Sequence, residues 1–387
     1  MSNKKPNATQ SLQIVSSLAD IHAVAWNNLA GDNPFVRHEF LYALEQTGCT
    51  TRESGWQPRH LALYENEILV GAMPLYLKFH SYGEYVFDWA WADAYERSGL
   101  KYYPKLLSAI PFTPVTGPRL LADTAEQRAM LIQGALALAK EMQVSSLHCL
   151  LPSDEQAAEM AQEGMMRRDS VQFHWRNENY SDFEAFLAGM NHEKRKKIRQ
   201  ERKKIVAAGV TFRWLGGAEI QAADWDFFTR CYDHTYHTHR STPYLNRAFF
   251  GRIGGTMPEN ILLIVAERDG APIAAALNIH NAHHLYGRYW GALEYVPGLH
   301  FEACYYQAIA FCIEQKIQIF EGGAQGEHKL ARGLLPVKTA SVHWLAQGEF
   351  AKAVENYLRR ESGGVEKYID ELGDSSPFKT KHPEPAE

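Results

Sequence analysis

The chain has 387 residues, of which 45% are apolar and 22% charged, and its formal net charge is −5. That length predicts two or three domains, each large enough to bury a core. The slightly acidic balance argues against binding of polyanions by the surface as a whole. Five cysteines lie far apart and form no C-x-x-C pair, which argues against a disulfide scaffold or a zinc ribbon and favours a reducing compartment.

The sequence indicates neither a membrane helix nor a secretion signal. No apolar run reaches the roughly 18 residues that a membrane helix needs, and no apolar region follows the polar N-terminus. We therefore expect a cytoplasmic protein. Residues 1–10 and 375–387 are polar or Pro-rich, and we expect them to be flexible tails because they cannot build a core.

Short strand patterns alternate with helical patterns along the first half of the chain. Residues 61–64 and 68–73 predict a hairpin, and an aromatic strand follows at 85–89. Apolar residues at helical spacing predict a helix over 125–140, and 147–151 reads as a short buried strand.

The second half repeats this order. A hairpin is predicted at 261–265 and 272–277, a strand at 284–290, a helix at 300–315 and a strand at 317–320. Tyr95 and Gly99 occupy the same place in the first series as Tyr295 and Gly298 in the second. We therefore predict two α+β domains of one fold, at residues 11–179 and 180–372.

A concentrated basic segment lies early in the second domain. Eight of the thirteen residues 192–204 are Lys or Arg, and the segment predicts a basic helix over 191–208 that ends before Gly209. One interpretation is a solvated helix that separates the domains. The other is a phosphate-binding face, and its candidate residues are Lys194, Arg195, Lys196 and Arg199.

A Gly-rich segment with ionisable side chains follows the last short strand, over residues 320–333. Glycines let a backbone approach a ligand and direct N–H groups at an oxyanion, and Glu327, His328 and Lys329 are suited to acid–base and electrostatic roles. A mobile turn with surface charges is the alternative. The segment lacks the G-x-x-x-x-G-K-[ST] pattern of a P-loop.

A Pro-rich loop at 111–119 is a second candidate for substrate contact, because its stiffness would present Thr116 and Arg119. A rigid crossover without a ligand explains the same residues equally well.

The aromatic segment 89–97 contains Asp93 and Tyr95 and is a candidate pocket lining, although such aromatics are more often core. His234 and His237 have a spacing that can bind a metal ion, but no H-E-x-x-H motif is present. We predict no metal site.

Several segments together resemble the FemAB-like branch of the GNAT superfamily, a group of bacterial peptidoglycan biosynthesis or recognition proteins, over about residues 12–370. The resemblance is carried by residues 33–36, 89–97, 111–119, the basic helix, 242–246 and 320–336. It implies an α+β protein of two tandem GNAT-like domains with mostly antiparallel central sheets.

The resemblance also implies a function. An acyl or aminoacyl group would pass from an activated carrier, aminoacyl-tRNA or acyl-CoA, to an amine such as that of a peptidoglycan precursor. The carrier would be a co-substrate, with no tightly bound cofactor. The motif [RQ]-x-x-G-x-[GA] of acyl-CoA-dependent GNAT enzymes is complete at 213–218, before the hairpin. It is incomplete at 288–293, where those enzymes have it. The donor is therefore open.

Each candidate residue then has an expected role. Lys329 would stabilise the oxyanion, with His328 or Glu327 as proton acceptor. The four candidates of the basic helix would anchor carrier phosphate. The acceptor would be contacted by residues of the first domain, namely Asp93, Tyr95, Thr116 and Arg119. Two alternatives are a recognition module that binds a peptidoglycan precursor without chemistry, and a regulatory protein whose basic helix docks an acidic partner.

Overall fold

The computed structural model describes residues 9–323 and 326–379 of the chain. Most of the predicted tails, at 1–8 and 380–387, and Ala324 and Gln325 of the Gly-rich segment lie outside the described residues. The chain divides into two units. The first contains the residues up to Ser170 together with Thr339–Gly364, and the second contains Val171–Lys338 and the residues from Val365 onward.

The elements before Ser170 belong to the first unit. Its strands are β1 (Gln10–Val15), β2 (Trp56–Pro58), β3 (His60–Glu65), β4 (Ile68–Met73), β5 (Tyr76–Lys78), β6 (Lys105–Ser108), β7 (Leu121–Ala122) and β8 (Ser146–Leu150). Its helices are α1 (Ala23–Ala30), α2 (His38–Gln46), α3 (Trp89–Arg97), α4 (Ala125–Glu141) and α5 (Asp154–Gln162).

The remaining elements begin with β9, within which the chain passes into the second unit. The strands are β9 (Met166–Arg176), β10 (Val210–Gly216), β11 (Ile261–Arg268), β12 (Ala271–His280), β13 (His284–Ala292), β14 (Ile319–Glu321) and β15 (Leu335–Leu345). The helices are α6 (Phe183–Gly189), α7 (His192–Ala207), α8 (Ala222–Thr238), α9 (Arg247–Thr256), α10 (Leu299–Phe301), α11 (Gln307–Glu314) and α12 (Gly348–Asp374). A π-helical segment, Glu302–Tyr306, joins α10 to α11, and Glu327–Arg332 forms a 3₁₀ helix.

The sheets are largely antiparallel. In the first unit the strand orders are β1-β3-β4-β7 and β15-β8-β6-β5-β2, and in the second unit the order is β10-β11-β12-β13-β14-β9. Parallel pairs occur between β6 and β8 and between β13 and β14. The predicted α+β class with mostly antiparallel sheets is therefore confirmed.

Both predicted hairpins form. β3 pairs with β4, and β11 pairs with β12. The first hairpin turns at Asn66 and Glu67, which both have positive φ, as a type I′ turn requires and as the right-handed twist of the strands favours.

Each unit has its own hydrophobic core. In the first, helices α4 and α5 pack on the sheet through residues such as Leu131, Ala157 and Met160. In the second, α6 and α11 supply residues such as Phe186 and Ile309. Within the described residues, every helix is too short or too polar to span a lipid bilayer.

The aromatic strand predicted at 85–89 is not a strand. Residues 85–88 form a loop, and Trp89 begins helix α3. Asp88, which precedes this helix, hydrogen-bonds with the buried Lys105 and Tyr102 side chains. Ala90, Ala92 and Ala94, at every second position after it, then favour a helix.

Candidate active site

Two neighbouring strands of the second unit separate at a small cavity. The parallel pairing of β13 with β14 ends at Tyr286 opposite Glu321. Beyond that point lies a cavity of about 100 Å³, which we call the inner cavity. It is lined by Ala276, Leu277, Asn278, Gly287, Arg288, Tyr289, Trp290, His300, Cys304, Tyr305 and Gly322.

Glycines let the chain pass close to this cavity. A Cβ atom at Gly322 would lie 2.5 Å from the Leu334 side chain, and Gly323 has a φ of +89°. Neither position accepts an ordinary side chain without strain. The backbone after β14 can therefore approach the Lys329 side chain closely.

Lys329 is buried beside this backbone. Lys329 belongs to the 3₁₀ helix and is only 3% exposed. Its Nζ donates a hydrogen bond of 2.8 Å to the Gly323 carbonyl. Burial, and then the positive charge of Arg288, lowers the pKa of Lys329 to about 7. The amine therefore changes charge near neutral pH, as catalytic lysines commonly do.

The two residues before Lys329 have hydrogen-bond partners in the same unit. His328 Nε2 lies 3.1 Å from the Tyr305 hydroxyl, and Glu327 accepts a 2.7 Å bond from Tyr368. Partial burial and the charges of Arg332 and Lys329 lower the pKa of His328. His328 is thus neutral at pH 7 and able to accept a proton.

The basic helix is tied directly to the 3₁₀ helix. Glu201 of α7 lies 3.1 Å from Arg332 and accepts a hydrogen bond from Tyr306, while Arg332 donates to the His328 carbonyl at 2.7 Å. The predicted phosphate-binding segment and the predicted catalytic loop are therefore joined by one ionic contact.

Helix α7 forms because Asn191 caps it, accepting a 3.0 Å bond from the Lys194 backbone. Ile198 and Ile205 form its buried face. Of the predicted phosphate-binding residues, Lys194 and Arg195 are half-buried, Lys196 is exposed, and Arg199 is exposed and paired with Glu184.

A larger groove adjoins the inner cavity and has a volume of about 650 Å³. We call it the outer groove. It shares Trp290 and His300 with the inner cavity, and Tyr295 on its wall is 89% exposed. Burial and the nearby His328, Arg332 and Lys329 lower the pKa of His300 to about 4, so its ring is neutral at pH 7.

The four predicted acceptor residues lie in the first unit. On α3, Tyr95 is buried against the Tyr102 and Phe350 rings, and Asp93 is exposed. The buried Arg119 donates to four backbone carbonyls, and it therefore holds the Pro-rich loop, where Thr116 is half-buried. The acceptor roles of these residues stay predictions.

Sequence reasoning missed a buried ionic cluster in the first unit. Lys105 donates 2.8 Å and 2.9 Å hydrogen bonds to Ser81 and Glu84 and a further one to Asp88. Lys78 lies 3.8 Å from Glu84. Although burial alone would lower the pKa of Lys105, the two carboxylates raise it. Despite its burial, Asp88 has a pKa well below its usual range because Lys105 and His148 lie nearby.

Two buried histidines extend this cluster. Nδ1 of His148 lies 2.7 Å from Nδ1 of His343, and Nε2 of His148 lies 3.1 Å from the Tyr102 hydroxyl. The available signal was a histidine within an apolar strand, Leu147 to Leu151, but no sequence pattern indicates which group faces it. Neither here nor elsewhere in the described residues do three His, Cys, Asp or Glu side chains group as metal ligands do.

The histidine pair predicts a loss of stability in acid. Burial lowers the pKa of both rings, that of His148 to about 3, whereas unfolded histidine titrates near 6.5. Between about pH 3 and 6.5 the unfolded chain binds more protons, so stability rises with pH, by about 1 kcal/mol per pH unit for each histidine.

We expect His343→Phe to reduce this slope by the contribution of one histidine, about 1 kcal/mol per pH unit. The free energy of unfolding would be measured from urea transitions between pH 5 and 6.5. The same replacement at the exposed His239 is the matched control. An unchanged slope in His343→Phe would contradict a neutral, buried His343.

Solved structures share this fold. The structure of FemX matches with a TM-score of 0.55 and 11% identity over 87% of this chain and 98% of that chain. L-PGS from Bacillus licheniformis matches with a TM-score of 0.53 and 9% identity over 85% of this chain and 96% of that chain. These likenesses show the fold alone, and the FemX match confirms the fold class predicted from the sequence. No curated protein sequence matches significantly.

The family is established by a match over nearly the whole chain. A model of the FemAB-like family, described as peptidoglycan biosynthesis/recognition, matches residues 17–380. That span contains the inner cavity, Lys329, the basic helix α7 and the buried ionic cluster. The chain therefore belongs to the FemAB-like family of peptidoglycan biosynthesis and recognition proteins.

Proposed function

We propose that this chain transfers an acyl or aminoacyl group from an activated carrier to an amine. The observation that carries the proposal is the environment of Lys329. Its amine is buried beside the Gly323 carbonyl, its pKa is about 7, and it lies next to a cavity that adjoins an open groove. A cation so placed stabilises an oxyanion that develops in the reaction.

The proposed step is aminolysis. The amine nitrogen attacks the carbonyl carbon of the ester or thioester, and the carbonyl oxygen becomes the oxyanion that Lys329 stabilises. A C–N bond forms and the C–O or C–S bond to the carrier breaks. Neutral His328, or Glu327, takes the proton from the amine, and the leaving group is protonated as the carrier departs.

The family supports an acceptor related to peptidoglycan, and a precursor amine is the acceptor that we propose. The carrier would be a co-substrate, aminoacyl-tRNA or acyl-CoA, and the reaction would take place in the cytoplasm. Asp93, Tyr95, Thr116 and Arg119 remain the proposed acceptor contacts.

Turnover by the purified protein tests this function. Radiolabelled aminoacyl-tRNA and acyl-CoA would be supplied in parallel with an amine acceptor, and thermal unfolding would show which carrier binds. We expect one carrier to raise the melting temperature and to lose its label to the acceptor. Binding without transfer would instead support the recognition module.

The basic helix should bind the carrier phosphates. Replacing Lys194, Arg195, Lys196 and Lys197 with Gln should weaken carrier binding and flatten its salt dependence, because each lost phosphate contact removes about one unit of the log–log slope. Carrier affinity measured from 50 to 200 mM salt checks this expectation.

A matched control removes four exposed cations from α12, by changing Lys352, Arg359, Arg360 and Lys367 to Gln. This control removes the same charge and should leave the slope as it is. If carrier affinity fell equally in both variants, or in neither, the result would indicate that α7 is only a solvated helix.

A further inference from the structure

Arg288 has an unusual backbone position at the inner cavity. Leu277 of β12 pairs with Tyr289 of β13, but the next residue, Asn278, pairs with Gly287. Arg288 is therefore the extra residue of a β-bulge. Bulges redirect side chains and are over-represented beside active sites.

The guanidinium of Arg288 is enclosed with a carboxylate. Its side chain is 2% exposed, and Nη2 lies 3.7 Å from Oε2 of the buried Glu321. His174 lies 4.0 Å from the same carboxylate, and burial together with the charge of Arg288 lowers the pKa of His174 to about 3. At neutral pH, Arg288 is thus a permanent cation beside Glu321, and the His174 ring is neutral.

Lys329 packs at Gly322, which lines the inner cavity together with Arg288: a Cβ atom built at Gly322 would be 3.6 Å from Lys329 Cδ. A Cβ atom built at Gly323 would be 3.8 Å from Lys329 Nζ and 4.0 Å from the carbonyl oxygen of Gly287, the residue before Arg288. The bulge and the buried amine therefore flank one site. Burial raises the pKa of the neighbouring Cys304 thiol, so this group is uncharged at neutral pH.

We propose that Arg288 is a positioning residue of the transfer site, which acts on the Lys329 ammonium through a fixed positive charge that Glu321 holds at the bulge. The catalytic part of this statement rests on the proposed function. The electrostatic part concerns two buried cations and holds whether or not the protein catalyses transfer.

The permanent charge has a chemical consequence. A guanidinium stays protonated at all working pH values. Its positive charge therefore disfavours protonation of the neighbouring Lys329 amine. Lys329 can then release its proton near neutral pH and regain it when negative charge develops in the cavity. Without the guanidinium, burial alone would lower the pKa of Lys329 less, and more of the amine would stay protonated at neutral pH.

Titration of Lys329 by NMR tests the proposal without any assay of activity. The Nζ resonance of Lys329 would be assigned by its loss in Lys329→Met and followed from pH 5 to 10 in the ¹⁵N-labelled full chain. In Arg288→Gln, which retains a donor for Glu321, we expect the midpoint to rise by about one pH unit. In Arg288→Lys, which retains the charge, we expect the wild-type midpoint.

The outcomes are distinct. An unmoved midpoint in folded Arg288→Gln would overturn the proposal, and so would an equal rise in Arg288→Gln and Arg288→Lys. If transfer activity is absent but the midpoints move as expected, the proposed function fails while the electrostatic coupling stands. If the protein is active, the high-pH limb of kcat/KM should move with the NMR midpoint.

Discussion

Lys329→Met should lower kcat by roughly a hundred- to a thousandfold, because one oxyanion donor contributes about 2.7–4 kcal/mol to the stabilisation of such a transition state. The ammonium acts mainly when negative charge reaches the carbonyl oxygen, so carrier affinity should change much less than kcat. Methionine retains the length of the side chain and removes its charge. Steady-state rates and carrier binding of the purified variant would measure both effects.

The same variant should alter the pH dependence of the reaction. The pKa of Lys329 near 7 means that the ammonium is lost as the pH rises through neutrality, so kcat/KM should level off or fall above that value. Lys329→Met should lack this limb. Because Lys329 is buried at a cost to its charged form, the variant should be as stable as the wild type or more stable.

Lys338→Met is the matched control, since Lys338 is an exposed lysine of the same unit. It should change stability by about half a kcal/mol or less. Wild-type turnover in Lys329→Met would remove Lys329 from the mechanism and would leave His328 and Glu327 as the candidates in this segment.

Lys105→Met should destabilise the first unit by about 3–5 kcal/mol, because it leaves buried carboxylates without their principal cation. Lys105 is fully buried and contacts both Glu84 and Asp88. The remaining Lys78 lies 3.8 Å from Glu84, and burial lowers its own pKa to about 7. Lys78 already donates to the Tyr82 carbonyl, so it does not replace the shorter bonds that Lys105 makes to the carboxylates. Thermal and urea unfolding would measure the loss.

The control is Lys101→Met, at an exposed position four residues earlier in the chain. It should change the unfolding free energy by about half a kcal/mol or less. Equal stability of the two variants would mean that Lys105 and its carboxylates do not form the buried pairs described above.

The elements that the sequence predicted well are those with local signals. The two hairpins have apolar strands on either side of a turn, and the basic helix has strong helix formers and a stop at Gly209. Lys329 stands out in the sequence because four glycines surround it. These signals lie within a few residues of the feature they specify.

The features that sequence reasoning missed depend on contacts between distant residues. Lys105 stands in the short segment Lys-Leu-Leu-Ser, and no local pattern shows that Glu84 and Asp88 will meet it in the core. In the sequence, Arg288 belongs only to an incomplete acyl-CoA motif, because a bulge is a property of the pairing between β12 and β13. The aromatic residues at 85–89 favoured a strand by propensity, and tertiary contacts of Asp88 override that preference.

Formation of the amide product is the most direct test of the central claim, that the site around Lys329 performs acyl transfer to an amine. Wild-type protein and Lys329→Met, each in excess over the loaded carrier, would be mixed with the amine acceptor, and amide and free carrier quantified by mass spectrometry. We expect one amide for each carrier released by the wild type, and a rate roughly a hundred- to a thousandfold lower for Lys329→Met. Tight carrier binding without amide, or equal rates for the two proteins, would contradict it.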